Sequence, residues 1–146
     1  MIEPRSPIIR AGIQVAAPLA LVVAAYLLFA GHNQPGGGFS AGLMIGAVIA
    51  MRTVTGLQTP TRAERLLSLG GLVVAVVAFA PLLFGEPLLD QVVIEGTVPV
   101  LGKVKTGSAL VFDIGVVLIV VGLVSAVLEG LGGADLDQPT EPRVDR

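Results

Sequence analysis

No cysteine occurs among the 146 residues, which excludes both disulfides and thiolate metal centres. Tryptophan is absent as well, and Tyr26 is the single tyrosine, so the aromatic belt that ordinarily marks a membrane interface is nearly missing. Charge is scarce. Charged residues make up 14% of the chain, against about 25% in soluble domains. Together with 53% hydrophobic residues and a mean hydropathy of +0.87, that deficit requires long stretches to lie where water is absent. The net charge of -2 offers no basic surface for nucleic acid. No Walker pattern, zinc-ligand spacing or Ser/His/Asp constellation is present, so neither an enzyme nor a cofactor is expected. What is left is an integral membrane protein.

What the chain does have is apolar runs of spanning length. Ala11 to Ala30 and Leu66 to Gly85 are each twenty residues without a charge, close to the ~20 that a spanning helix needs. Two arginines precede the first run, as they would in a cleaved signal peptide, but the run exceeds the usual apolar region of about 7–15 residues. Phe39 to Gly56 is eighteen residues and carries Arg52 near its end. It spans if Arg52 snorkels to the interface, and a re-entrant segment is its rival reading. Ser108 to Leu131 is the last run, interrupted by Asp113 and Glu129. Thr61-Arg62-Ala63-Glu64 reads as a capping box for the third helix. Between the third and fourth helices, two short β-branched runs around Gly96 suggest a surface hairpin, with Pro99 restricting its strand to an edge. The expected fold is therefore all-α, with four transmembrane helices at about 11–30, 39–56, 66–85 and 108–131 and a short hairpin. Residues 1–133 form one membrane domain, and 134–146 form a charged, disordered tail.

Orientation follows from the basic residues. Four spans put Arg5, Arg10, Arg52, Arg62, Arg65, Arg143 and Arg146 on one side, and Lys103 and Lys105 on the other. The positive-inside rule then makes both termini cytoplasmic.

Few side chains carry chemistry. Asp113 stands in the run Ala109-Leu110-Val111-Phe112-Asp113-Ile114-Gly115, where a carboxylate costs about 2.5–3.5 kcal/mol at a helix centre and less near an interface. Acids kept in such places handle ions or protons, or pair with a cation. The blander reading is a carboxylate favoured by the start of its own helix and reached by outside water. Glu129 reads as interfacial and solvated. His32, the lone histidine, reads as a hydrogen-bonding loop residue, with metal binding or a proton relay as the sharper alternative. No Gly-Lys-Ser/Thr follows the glycines of 36–38, so they are not a phosphate loop. Their N–H groups at a helix start could hold an anion or a partner's carboxylate. Gly38, Gly42 and Gly46 recur every fourth residue, a small-residue stripe suited to close helix packing.

The run Gly31-His32-Asn33-Gln34-Pro35-Gly36-Gly37-Gly38-Phe39-Ser40-Ala41-Gly42-Leu43 closely resembles the signature of the B subunit of Mrp-type multisubunit Na+/H+ antiporters. Ser108 to Val116 and the Pro99-to-Gly102 element are similar to later parts of the same family, and the resemblance covers roughly residues 8 to 131. It implies a plasma-membrane, multi-pass subunit of a proton-motive-force-driven antiporter that moves Na+ and H+. Its partners would be the large A and D subunits, the small C, E, F and G subunits, and membrane lipid. His32, Asn33, Pro35, Gly36, Gly37, Gly38, Phe39 and Gly42 are the motif residues, with Pro35 and Phe39 at positions associated with antiport. Asp113 matches an acidic position and becomes the candidate cation or proton site, while Gly42 and Gly46 become packing positions. The alternative is a purely structural assembly subunit that contacts no ion.

Overall fold

The structure, a computed structural model, describes residues 7–31, 35–59, 62–87, 93–98 and 102–134. His32, Asn33, Thr61, Pro99 and the 135–146 part of the tail lie outside them. Four α-helices follow in order: α1 (Pro7–Ala30), α2 (Gly38–Val54), α3 (Ala63–Phe79) and α4 (Ser108–Ala134). α1 starts four residues earlier than the uncharged run. Pro7 occupies the first position, where its missing N–H costs nothing and its fixed φ suits a helix, so Arg10 is carried inside the helix. α3 gives way at Ala80 to a five-residue 3₁₀ turn, Ala80–Phe84. Pro81 supplies no N–H to the preceding carbonyls, and Gly85 closes the turn with φ 80.

Among the described residues three stretches are long and apolar enough to cross a membrane: Pro7–Ala30, Ala63–Phe84 and Ser108–Leu131. α2 has 17 residues and at about 1.5 Å per residue covers roughly 25 Å. It ends in a hydrogen-bonded reversal. Leu57 N–H donates to the Arg52 carbonyl at 2.8 Å and Gly56 N–H to the Thr53 carbonyl at 2.9 Å, with Gly56 at φ 68. That is the Schellman pattern, which satisfies two carbonyls a helix end leaves over. Between the 3₁₀ turn and α4, strands β1 (Val93–Val98) and β2 (Gly102–Gly107) pair antiparallel, Val93 opposite Gly107 and Val98 opposite Gly102. β2 runs straight into α4.

α4 is the middle of the bundle. It packs along α3 on one side and α2 on another, while α1 lies against α2 and barely reaches α4. Glycine governs both α4 contacts. A Cβ on Gly42 would stand 2.8 Å from Val120 Cβ, and one on Gly46 would stand 2.9 Å from Val124 Cγ2. On the other side, a Cβ on Gly70 would stand 2.8 Å from the Gly115 carbonyl oxygen and from Ile119 N. One on Gly122 would stand 2.9 Å from Leu67 N. In lipid there is no hydrophobic force between helices, so dispersion at such close approaches supplies the attraction. The order of the contacts shows α2 and α4 running the same way and α3 running against them. Elsewhere the helices are bare: Val15, Val22, Phe29, Phe39, Leu72 and Leu123 are all exposed large hydrophobics, as a surface facing acyl chains requires.

Candidate functional site

The loop before α2 folds back onto the end of α1. Gly37 N–H donates to the Leu27 carbonyl at 2.8 Å, and a Cβ on Gly36 would stand 2.5 Å from the same oxygen. Gly37 itself, the residue that caps α2, has φ 100, in the region that favours glycine. Two glycines are thus needed for the reversal: Gly36 for closeness and Gly37 for conformation. Pro35 and Phe39 flank it and are exposed, Phe39 by 61%.

This reversal ends against Asp113. A Cβ on Gly37 would lie 3.7 and 3.8 Å from the two Asp113 carboxylate oxygens, and one on Gly38 would collide with the Asp113 carbonyl oxygen. Asp113, half-buried, therefore sits at the N-terminus of a neighbouring helix rather than relying on its own. From sequence, the glycine N–H groups are expected to hold an anion or a partner's carboxylate. The carboxylate beside them is this chain's own, brought from α4. A helix N-terminus carries about +0.5 elementary charge and stabilises a nearby anion by about 0.3–1 kcal/mol, up to about 2 in partly buried geometry. A carboxylate in a span costs up to about 2.5–3.5 kcal/mol at its centre and less nearer an end, where Asp113 stands, and the dipole offsets part of that cost.

At the other end of α4 a second carboxylate does a similar job. Glu129 Oε1 accepts the backbone N–H of Ala63, the first residue of α3, at 3.3 Å. The capping box expected from Thr61 and Glu64 rests on Thr61, outside the described residues. The cap position falls on Arg62, at φ 70, with no side-chain cap of its own, and the acceptor comes from 66 residues further along the chain. Glu129 is exposed, as read, but it has a partner that no local pattern shows. Replacing it with alanine should cost about 0.5–2 kcal/mol, the usual loss for an N-cap acceptor, while glutamine, which keeps an oxygen, should lose less. Unfolding in a graded series of sodium dodecyl sulfate fractions, followed by circular dichroism, measures both. Equal midpoints for all three proteins would mean the contact carries no weight.

Among the described residues no cluster of three or more His, Asp or Glu side chains could hold a metal. The site is one carboxylate, two glycines and a helix end. The close-approach glycines of the α3–α4 seam, Gly70, Gly115 and Gly122, were not singled out from sequence. The seven-residue spacing of Gly115 and Gly122 was the available signal, since it returns to one face after two turns.

Residues 8–126 match a family described as a domain related to the MnhB subunit of Na+/H+ antiporter. The chain belongs to the MnhB family. Relatives described as the candidate antiporter subunit mnhB2, from Staphylococcus aureus strains Newman and NCTC 8325 / PS 47, are each 33% identical to it over 114 residues. Those alignments cover 74% of this MnhB chain and 81% of each relative. A solved structure, that of the Mrp complex from Dietzia sp. DQ12-45-1b, superposes with a TM-score of 0.73 at 26% identity. It covers 97% of the MnhB chain and 16% of the longer chain it matches.

Proposed function

We propose that this MnhB chain is a membrane subunit of a multisubunit monovalent cation/proton antiporter driven by the proton motive force, a transporter part rather than an enzyme. The observation that carries this reading is the meeting of the glycine signature with Asp113. The motif residues Gly37 and Gly38 lie against Asp113, an acidic residue in the second turn of the apolar helix α4. In this reading all four helices cross the plasma membrane, with both termini and the 134–146 tail cytoplasmic and the glycine reversal outside. The partners are the large A and D subunits and the small C, E, F and G subunits, and the transported ions are Na+ and H+.

Asp113 then alternates between a proton and a cation. The end of α2 lowers the cost of the bare carboxylate between the two, and the absence of side chains at Gly37 and Gly38 leaves room beside its oxygens. The test is antiport in everted vesicles carrying the whole operon with Asp113→Asn, which keeps shape and removes charge. Na+-dependent collapse of the pH gradient should fall to background while the subunits still co-purify. A wild-type collapse with intact assembly would instead leave the structural reading, in which Asp113 serves only to anchor α4 to the start of α2. That second reading is favoured by one specific observation, the matching use of Glu129 on α3.

A further inference from the structure

Away from Asp113, at the opposite end of α2, α1 and α2 enclose a cavity of about 310 Å³. Its polar wall is Gln14 and Arg52, and its apolar wall includes Ala17, Pro18, Leu21 and Leu57. Arg52 Nε is buried and has no hydrogen-bond partner among the described residues. A guanidinium N–H in that state is costly unless an anion or acceptor meets it. The Schellman reversal is what puts Leu57 beside Arg52, by returning the chain onto the Arg52 carbonyl. On the facing helix Pro18 has no N–H to give to the carbonyl four residues earlier, and that residue is Gln14. The cavity thus offers a planar cation and a helical carbonyl without its helical donor, above an apolar slot running down α1 toward Leu21.

From this geometry we infer that the cavity binds an anionic phospholipid whose headgroup also carries hydroxyls, such as phosphatidylglycerol. The phosphate meets Arg52, which can hold two of its oxygens at once. A headgroup hydroxyl donates to the Gln14 carbonyl, and an acyl chain follows Ala17, Pro18 and Leu21. Arg10, one turn before Gln14 on α1, adds a second basic residue to this end, as pockets between spanning helices that take anionic headgroups do. A zwitterionic choline lipid fits poorly, since it has no net charge and no hydroxyl donor in its headgroup.

The experiment is native mass spectrometry of the full chain released from nanodiscs of equal phosphatidylglycerol and phosphatidylcholine. Wild type should retain phosphatidylglycerol in preference, and Arg52→Gln should reduce that retention by about tenfold, the worth of one charged hydrogen bond. Arg52→Lys, which keeps charge but loses the planar fork, should fall between them. Arg65→Gln, on the same side but outside the cavity, should match wild type. Circular dichroism verifies that each variant keeps its helix content. If Arg52→Gln does not fold, the ordering of wild type, Arg52→Lys and Arg65→Gln decides. Equal losses at Arg65 and Arg52 would overturn the proposal in favour of diffuse attraction to a basic surface. Retention unchanged in Arg52→Gln and Arg52→Lys would also overturn it, leaving Arg52 to a carboxylate of another subunit.

Discussion

Replacing Gly38 with alanine should lower the amount of folded protein recovered from the membrane several-fold. The added methyl is among the smallest substitutions available, yet it would be directed at the carbonyl oxygen, carbonyl carbon and Cα of Asp113. These are backbone atoms, which cannot rotate away as a side chain can, so α2 must lift off α4 or the register must slip. Overpacking of this kind costs about 1–3 kcal/mol, sometimes more, out of a total of about 5–15 kcal/mol for a typical protein. Lifting α2 also withdraws Gly37 from the Asp113 carboxylate, so whatever protein survives should be inactive in antiport. Gly12→Ala is the matched control, because a Cβ there meets nothing within 4 Å. The amount of monodisperse protein recovered in mild detergent reads the effect. Recovery of Gly38→Ala at the level of Gly12→Ala would refute the close α2–α4 approach.

Two adjacent glycines should respond with opposite signs. Gly70 faces α4, where an added Cβ would press on the Gly115 carbonyl oxygen and Ile119 N, whereas at Gly71 it meets nothing within 4 Å. Gly70→Val should therefore lose about 1–3 kcal/mol or more. Gly71→Ala should gain about 0.5–1 kcal/mol, the difference in helix preference alone. Detergent unfolding of the isolated chain measures both, and the isolated chain matters because in a complex the Gly71 face can meet another subunit. A loss at Gly71 in the isolated chain, or none at Gly70, would mean that α3 turns a different face to α4.

The helices themselves were largely legible, because an uncharged run of twenty residues has little choice in a membrane. The Gly38, Gly42 and Gly46 stripe was legible as a packing face as well. What it packs on was not. Each span is apolar on every side, so no charge pattern says which helix lies beside which, and the pairing of α2 with α4 emerges from shape alone. For the same reason Asp113 could be read as costly but not placed. Its neighbour at the start of α2 is more than seventy residues away in sequence. The acceptor at the start of α3 was hidden for a related reason, because Glu129 reaches the Ala63 N–H only through tertiary packing. Pro81 was visible, but its conversion of the helix end to a 3₁₀ turn depends on Gly85 to close it.

The central position of α4 has a consequence for how the chain is made. α2 and α3 are each joined mainly to α4, yet α4 is the last of the four to leave the ribosome. Until it does, α3 has no close-packed neighbour, and the face of α2 carrying Gly38, Gly42 and Gly46 stands open to lipid. The nascent bundle must therefore wait, inserted but unconsolidated, for its final helix, and that interval is when a membrane protease or an inappropriate neighbour has its best opportunity.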